Sequence, residues 1–249
     1  MPVFQSKPKP AAPAPAPAKP QGPAAGGPNG GLAAQRAALQ PKPAGGGRAQ
    51  ATPPGGAKSP LGKKVYARNQ KRTAGMKVQM GAAHDAAADV FEAHWTKHRA
   101  RYEQVAAKTD MPAKLIAALH WRESSGNFNT YLHQGDPLGK PAVHVPKNIP
   151  VFHKWEDAAV HALQMKKGVQ NDLGVEKETK DPASLATYAE FYNGLGYHNR
   201  GVPSPYVYSG TNQYSAGKYV ADGKYDPKVK DKQVGVMALM SRAKDDTPA

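Results

Sequence analysis

The distribution of proline and charge divides this chain before any element of structure is assigned. Residues 1–60 hold fourteen of the twenty-four prolines, with Pro and Ala alternating over 13–17 and three consecutive glycines at 45–47. Such a stretch cannot bury enough apolar surface to offset the entropy of ordering it, so a disordered tail, partly polyproline II, is expected. Residues 1–80 carry thirteen Lys or Arg and no Asp or Glu, whereas 81–249 carry twenty-one against nineteen. The net charge of +15 therefore belongs mainly to the N-terminal part. The organisation expected is a Pro/Ala/Gly-rich basic tail over 1–60, a basic connecting arm over 61–80 and one domain over 81–249.

The charge pattern and the cysteine count narrow the function classes. A nucleic-acid-reading face needs Lys and Arg clustered on folded elements beside aromatic or groove-reading groups; no such cluster is visible, so nucleic acid is not an expected partner. Cysteine is absent, which removes disulfides and thiolate metal sites from consideration. Met1 to Gln5 lacks the apolar core of a secretory signal, and no apolar run approaches the roughly 20 residues of a membrane span. Neither Sec export nor an integral membrane segment is expected. The basic tail reads as a flexible linker, as an adhesive for anionic wall polymers, or as an address for a delivery machine.

Within the domain, hydrophobic periodicity marks the helices. Ala87, Val90, Phe91, His94, Trp95, His98, Tyr102 and Val105 recur at helical spacing and predict a helix over 83–107. His94 and His98 have zinc-ligand spacing, but no Glu or third His completes a metalloprotease pattern, so a half-buried helix face is the expected role. After a short connection, Asp110 is a good N-cap and Pro112 suits a first turn. Pro112, Leu115, Ile116, Leu119 and Glu123 then share one face. A glutamate ends this apolar stripe, where desolvation and the negative end of the helix dipole both disfavour its charge, so its pKa is expected to rise. Ser124, Ser125, Gly126 and Asn127 break the helix behind it, leaving the carboxyl where a cleft can open. A protonated glutamic acid at a helix end, near a loop carrying Asp136, suits acid-catalysed glycoside cleavage. A Gly-Asp-Pro turn is equally good loop chemistry, which leaves Asp136 two readings.

The segment Ala117-Ala118-Leu119-His120-Trp121-Arg122-Glu123-Ser124-Ser125 resembles the catalytic helix of the lysozyme-like superfamily, which includes soluble lytic transglycosylases and phage lysozymes. The blocks from Phe128 to Leu138, Tyr192 to Tyr197, Ser204 to Tyr206 and Gly217 to Gly223 are similar to a group of phage and prophage lysozyme-type proteins. The likeness covers roughly residues 84 to 243. It implies a mainly α domain of lysozyme-like α+β type that cleaves the bond between N-acetylmuramic acid and N-acetylglucosamine in peptidoglycan, without cofactor or metal. Glu123 would be the general acid, and Asp136 would stabilise positive charge or orient water. Ser124, Asn129, His133, Tyr192, Asn193, Tyr206 and Tyr214 are the candidate glycan contacts. The Gly-Leu-Met-Gln block of lytic transglycosylases is absent, so hydrolysis and transglycosylation both stay open, as does a non-catalytic wall-binding role. Lacking a signal, the chain would be made in the cytoplasm and reach the wall from the periplasm or outside, after lysis, with a phage particle, or through a secretion or injection device.

The remaining segments complete the expected architecture. Residues 126–153, punctuated by Pro, Gly and Asn, predict a small β-hairpin or extended lobe walling a groove. A helix is expected over 155–171 with Trp155, Ala158, Ala159, Ala162, Leu163 and Met165 inward, and another from Asp181 to Asn193. The tyrosine- and asparagine-rich stretch 192–225 suits saccharide contact, although single tyrosines more often fill gaps between helices. Residues 227–243 predict a closing helix.

Overall fold

A computed structural model describes residues 56–244; of the tail expected to be disordered over 1–60, residues 1–55 lie outside the described residues, whereas 56–60 are ordered, with Ala57 buried and Pro60 opening a helix. Within them, nine helices and one two-stranded antiparallel hairpin form a mainly helical domain, in agreement with the expected fold class. The helices are α1 (Pro60–Ala74), α2 (Ala82–Thr109), α3 (Ala113–Ser124), α4 (Trp155–Gln164), α5 (Lys167–Leu173), α6 (Pro182–Asn193), α7 (Gly196–Arg200), α8 (Pro205–Tyr208) and α9 (Val236–Arg242). Strands β1 (Lys218–Ala221) and β2 (Lys224–Asp226) pair with Tyr219 opposite Tyr225. No helix among the described residues is long and apolar enough to cross a membrane.

The core is built around α3, which is enclosed rather than striped. Leu115, Ile116, Ala117, Ala118, Leu119 and His120 are all fully buried, because α2 and α9 both pack against the helix. Its small residues, Ala117 and Ala118, allow that close approach. The N-terminus differs in detail from the sequence expectation. Asp110 takes the left-handed conformation (φ 55°) that ends α2, a geometry Asp tolerates better than most residues, and Pro112 occupies the N-cap of α3. The Asp110 carboxylate instead accepts the Lys177 backbone N–H at 3.1 Å.

The basic stretch 61–80, expected as a connecting arm, contributes most of α1, which lies along α6 with Val65 and Asn69 fully buried. Ser59 caps the helix by accepting the Gly62 N–H, and Pro60 begins it. Asn212 fastens the segment that follows by accepting the Lys77 N–H. The basic residues concealed this helix in the sequence, since its few buried positions face a polar network instead of an apolar stripe.

Three other expectations are corrected. Residues 126–153 contain no strand, only the Thr130–Pro137 bridge; the hairpin lies at 218–226. Side chains take over the role of a ladder in the earlier loop. The Tyr131 hydroxyl donates to the Lys140 carbonyl and accepts from the Phe152 N–H, and Asp136 gathers further N–H groups. The helix expected over 155–171 breaks at Met165 and Lys166 into α4 and α5, and Met165, expected inward, is 44% exposed. The break lets Gln170 reach back and donate to the Thr109 and Asp110 carbonyls at the end of α2. The closing helix occupies only Val236–Arg242, because 227–235 runs as a loop that draws Asp231 into the interior.

Candidate functional site

Glu123 occupies the last turn of α3, half-buried, where Ser125 turns left-handed (φ 54°) and ends the helix. The expected break therefore occurs where the sequence placed it. The loop leaving this helix is held by rings. Phe128 stacks on His94 with centroids 5.4 Å apart, meets Trp155 edge-on, and lies under the Arg101 guanidinium at 3.7 Å from the ring centroid. His94 and His98 thus form part of an aromatic cluster, with centroids 4.7 Å apart. Among the described residues no group of three or more His, Cys, Asp or Glu is arranged to hold a metal ion.

A relay behind the loop fixes its backbone. His120 Nε2 donates to the Asn127 carbonyl at 3.1 Å, so its Nδ1 accepts from the Tyr102 hydroxyl at 2.9 Å, and Tyr102 Oη accepts from His94 Nε2 at 2.7 Å. The relay requires a neutral His120, because its Nδ1 accepts, whereas His94 can donate to Tyr102 in either protonation state. Burial lowers His120 to a pKa of about 3 and His94 to about 4, and pushes the Tyr102 hydroxyl upward.

Around Glu123 the structure brings together some of the expected residues. The Tyr206 hydroxyl donates to Glu123 Oε1 at 2.9 Å. The Ser124 hydroxyl is directed back toward the His120 carbonyl, 3.5 Å away. Gly135, with φ +82°, passes so close that a β-carbon there would stand 3.1 Å from the Glu123 carbonyl oxygen. Loop 131–136 thus lies directly on the end of α3.

Asp136 is carried by that loop but faces into it. Its side chain is 6% exposed; Oδ2 accepts from the Val143 and His144 N–H groups at 2.9 Å each, and Oδ1 pairs with His144 Nδ1 at 2.6 Å. Burial alone would raise its pKa, yet these bonds hold it below the usual value. His133 and Tyr192 meet in a recess also lined by Val145, Pro146, Met165 and Lys166. His133 Nε2 is 2.9 Å from His161 Nδ1, and the Tyr192 hydroxyl donates to the Leu132 carbonyl. Asn193 is buried at the end of α6, while Asn129 is exposed and accepts the Leu138 N–H through its backbone carbonyl. The Tyr214 hydroxyl holds a different loop, donating to the Gly217 carbonyl and accepting the Asp231 N–H.

A buried ion cluster not expected from the sequence stands behind Tyr206. Arg122 Nη2 lies 2.8 Å from Asp231 Oδ2, Lys218 Nζ lies 2.9 Å from Asp231 Oδ1, and the Arg122 guanidinium sits 4.9 Å from the Tyr206 ring centroid. Burial would raise the Asp231 pKa, but Arg122 and Lys218 overcome this and hold it at about 2. The available signal was a single acid within the basic run Lys228 to Lys232, facing an arginine one residue before Glu123. Chemically, the arrangement presents one carboxyl at a helix end, oriented by a phenol that a buried cation supports. No family model, no curated protein and no solved structure matches this chain.

Proposed function

We propose that the chain cleaves the glycan strands of peptidoglycan between N-acetylmuramic acid and N-acetylglucosamine, with Glu123 as general acid. The observation that carries this reading is the Glu123 carboxyl at the end of a buried helix, hydrogen-bonded by Tyr206 and flanked by loop 131–136. Protonation of the glycosidic oxygen by such a group supplies roughly 10²- to 10⁴-fold of acceleration. Ser124 is the neighbour of Glu123 in the chain, and the recess containing His133 and Tyr192 has mixed apolar and polar walls. Asn129, Asn193 and Tyr214 stand farther back in this reading. Asn129 and Tyr214 would belong to loops bordering the glycan, and Asn193 follows Tyr192 at the buried end of α6.

The commitment of Asp136 to Val143 and His144 favours a route with one catalytic carboxylate: the glycosidic bond breaks as its oxygen takes the Glu123 proton, a hydroxyl of the substrate itself closes on the muramic carbon, and that hydroxyl's proton returns to the Glu123 carboxylate. Asp136 then braces the loop instead of assisting charge development. The basic N-terminal segment contributes contact with wall polymers or with the device or phage particle that delivers the chain. Mass spectrometry of digested purified peptidoglycan tests the reading: anhydro-muramic ends indicate transglycosylation, reducing muramic ends hydrolysis, and no released muropeptides would reject it.

A further inference from the structure

Helix α8 has four residues, too few to fix its own orientation, so its surroundings determine where its side chains point. Two of those side chains are tyrosines two positions apart, which places them on nearly opposite sides of the turn. Tyr206 reaches Glu123 on α3, and the Tyr208 hydroxyl donates to Asn69 Oδ1 on α1 at 2.8 Å. On a third side the chain at Gly235 presses against α8: a β-carbon there would lie 2.7 Å from the Val207 carbonyl oxygen and 2.6 Å from the Ser209 nitrogen.

Asn69 is itself held in one orientation. Its Nδ2 donates to Glu190 Oε2 at 2.8 Å and to Thr187 Oγ1 at 3.2 Å, both on α6, which turns its oxygen toward Tyr208. All four residues are fully buried. An apolar contact would hold two helices together as well, whereas a buried polar hub with directed bonds selects one arrangement of its partners. The Arg72 guanidinium, 5.7 Å from the Tyr208 ring centroid, adds a second contact from α1.

We infer that Asn69 is a positioning residue for the Glu123 carboxyl, acting through Tyr208 and α8 on the Tyr206 hydroxyl. Helix α1 is on this account part of the catalytic apparatus. The consequence for turnover rests on Glu123 being the general acid, while the mechanical link from Asn69 to Glu123 does not.

Two single substitutions in the full chain separate positioning from simple support. Tyr208→Phe removes the Asn69 bond toward α8, and Thr187→Val removes one of the two Asn69 bonds toward α6 while the Glu190 bond stays. Each is followed by thermal midpoint, by kcat and KM on soluble glycan fragments, and by the Glu123 side-chain carboxyl ¹³C resonance at fixed pH, assigned through its loss in Glu123→Gln. The inference expects both variants to lower the midpoint. Only Tyr208→Phe should shift the Glu123 resonance and reduce kcat at least fivefold at a KM within twofold of the parent. An unmoved resonance in Tyr208→Phe, or equal changes in both variants, overturns it. If the parent cleaves no glycan, the functional reading falls and the resonance alone decides the link. Asn69→Ser, too short to reach Tyr208, must give the same resonance shift should Tyr208→Phe fail to fold.

Discussion

The Tyr206 hydroxyl and Glu123 Oε1 stand 2.9 Å apart, joining residues separated by 83 positions. A hydrogen bond to a carboxyl restricts its rotation and fixes its orientation. Tyr206→Phe should therefore lower kcat on soluble glycan fragments by about tenfold, in line with the upper end of the roughly 0.5–1.5 kcal/mol net of a hydrogen bond. Steady-state kinetics check this, and a kcat within twofold of the parent would leave the contact without a catalytic role.

Support for that tyrosine comes from the buried pair Arg122–Asp231. Asp231→Asn leaves Arg122 charged and uncompensated in the interior, so stability to chemical denaturation should fall by about 3–5 kcal/mol. Replacing the cluster together, as Arg122→Met with Asp231→Leu and Lys218→Met, should recover much of the stability and little of the activity, since the cation over the Tyr206 ring is then gone. Recovery of both would confine the cluster to a structural role.

Asp136 is expected to act on the loop and not on the reaction. Asp136→Asn loses the charge that holds His144 and the two N–H groups, at a cost of about 1–3 kcal/mol. Turnover per folded molecule should stay within threefold; a fall of tenfold or more at an unchanged thermal midpoint would return Asp136 to the chemistry.

The relay behind the site makes stability dependent on pH. His120 is neutral when folded, with its pKa lowered by burial to about 3, whereas the unfolded chain binds the proton near pH 6.5. The unfolded state therefore takes up more protons as pH falls below 6.5, and stability decreases until the folded pKa is reached. Between pH 6.5 and 5 this group alone should remove about 2 kcal/mol. Burial lowers His94 in the same direction, and Asp136, whose folded pKa is depressed, loses its contribution only on further acidification. Denaturation across this range should show the slope flattening in His120→Gln. A stability independent of pH from 6.5 to 5 would contradict the neutral relay.

What was legible in the sequence was what depends on local period and capping. Helix α2 was recognisable from Phe91, Trp95 and Tyr102, the Asp181-Pro182 start of α6 from its cap, and the end of α3 from the residues after Glu123. Asp110 misled because the same residue type caps an N-terminus and tolerates the left-handed turn that ends a helix. The hairpin was misplaced because loop 126–153 has strand-like apolar pairs, but Asp136 and Tyr131 spend their polar atoms bracing its backbone. In the site, Glu123 stood out by its own position. Its partner Tyr206, the Arg122–Asp231 pair and the Asn69 hub depend on contacts between distant segments, which no periodicity encodes.

The central claim rests on one proton donor, and Glu123→Gln addresses it most directly, because the amide keeps the shape and polarity of the side chain but cannot deliver a proton. With purified peptidoglycan as substrate and released muropeptides quantified by mass spectrometry, the account predicts a variant with the parent's thermal midpoint to within a few degrees and a rate reduced by roughly 10²-fold or more. A variant cleaving glycan strands within tenfold of the parent would contradict it.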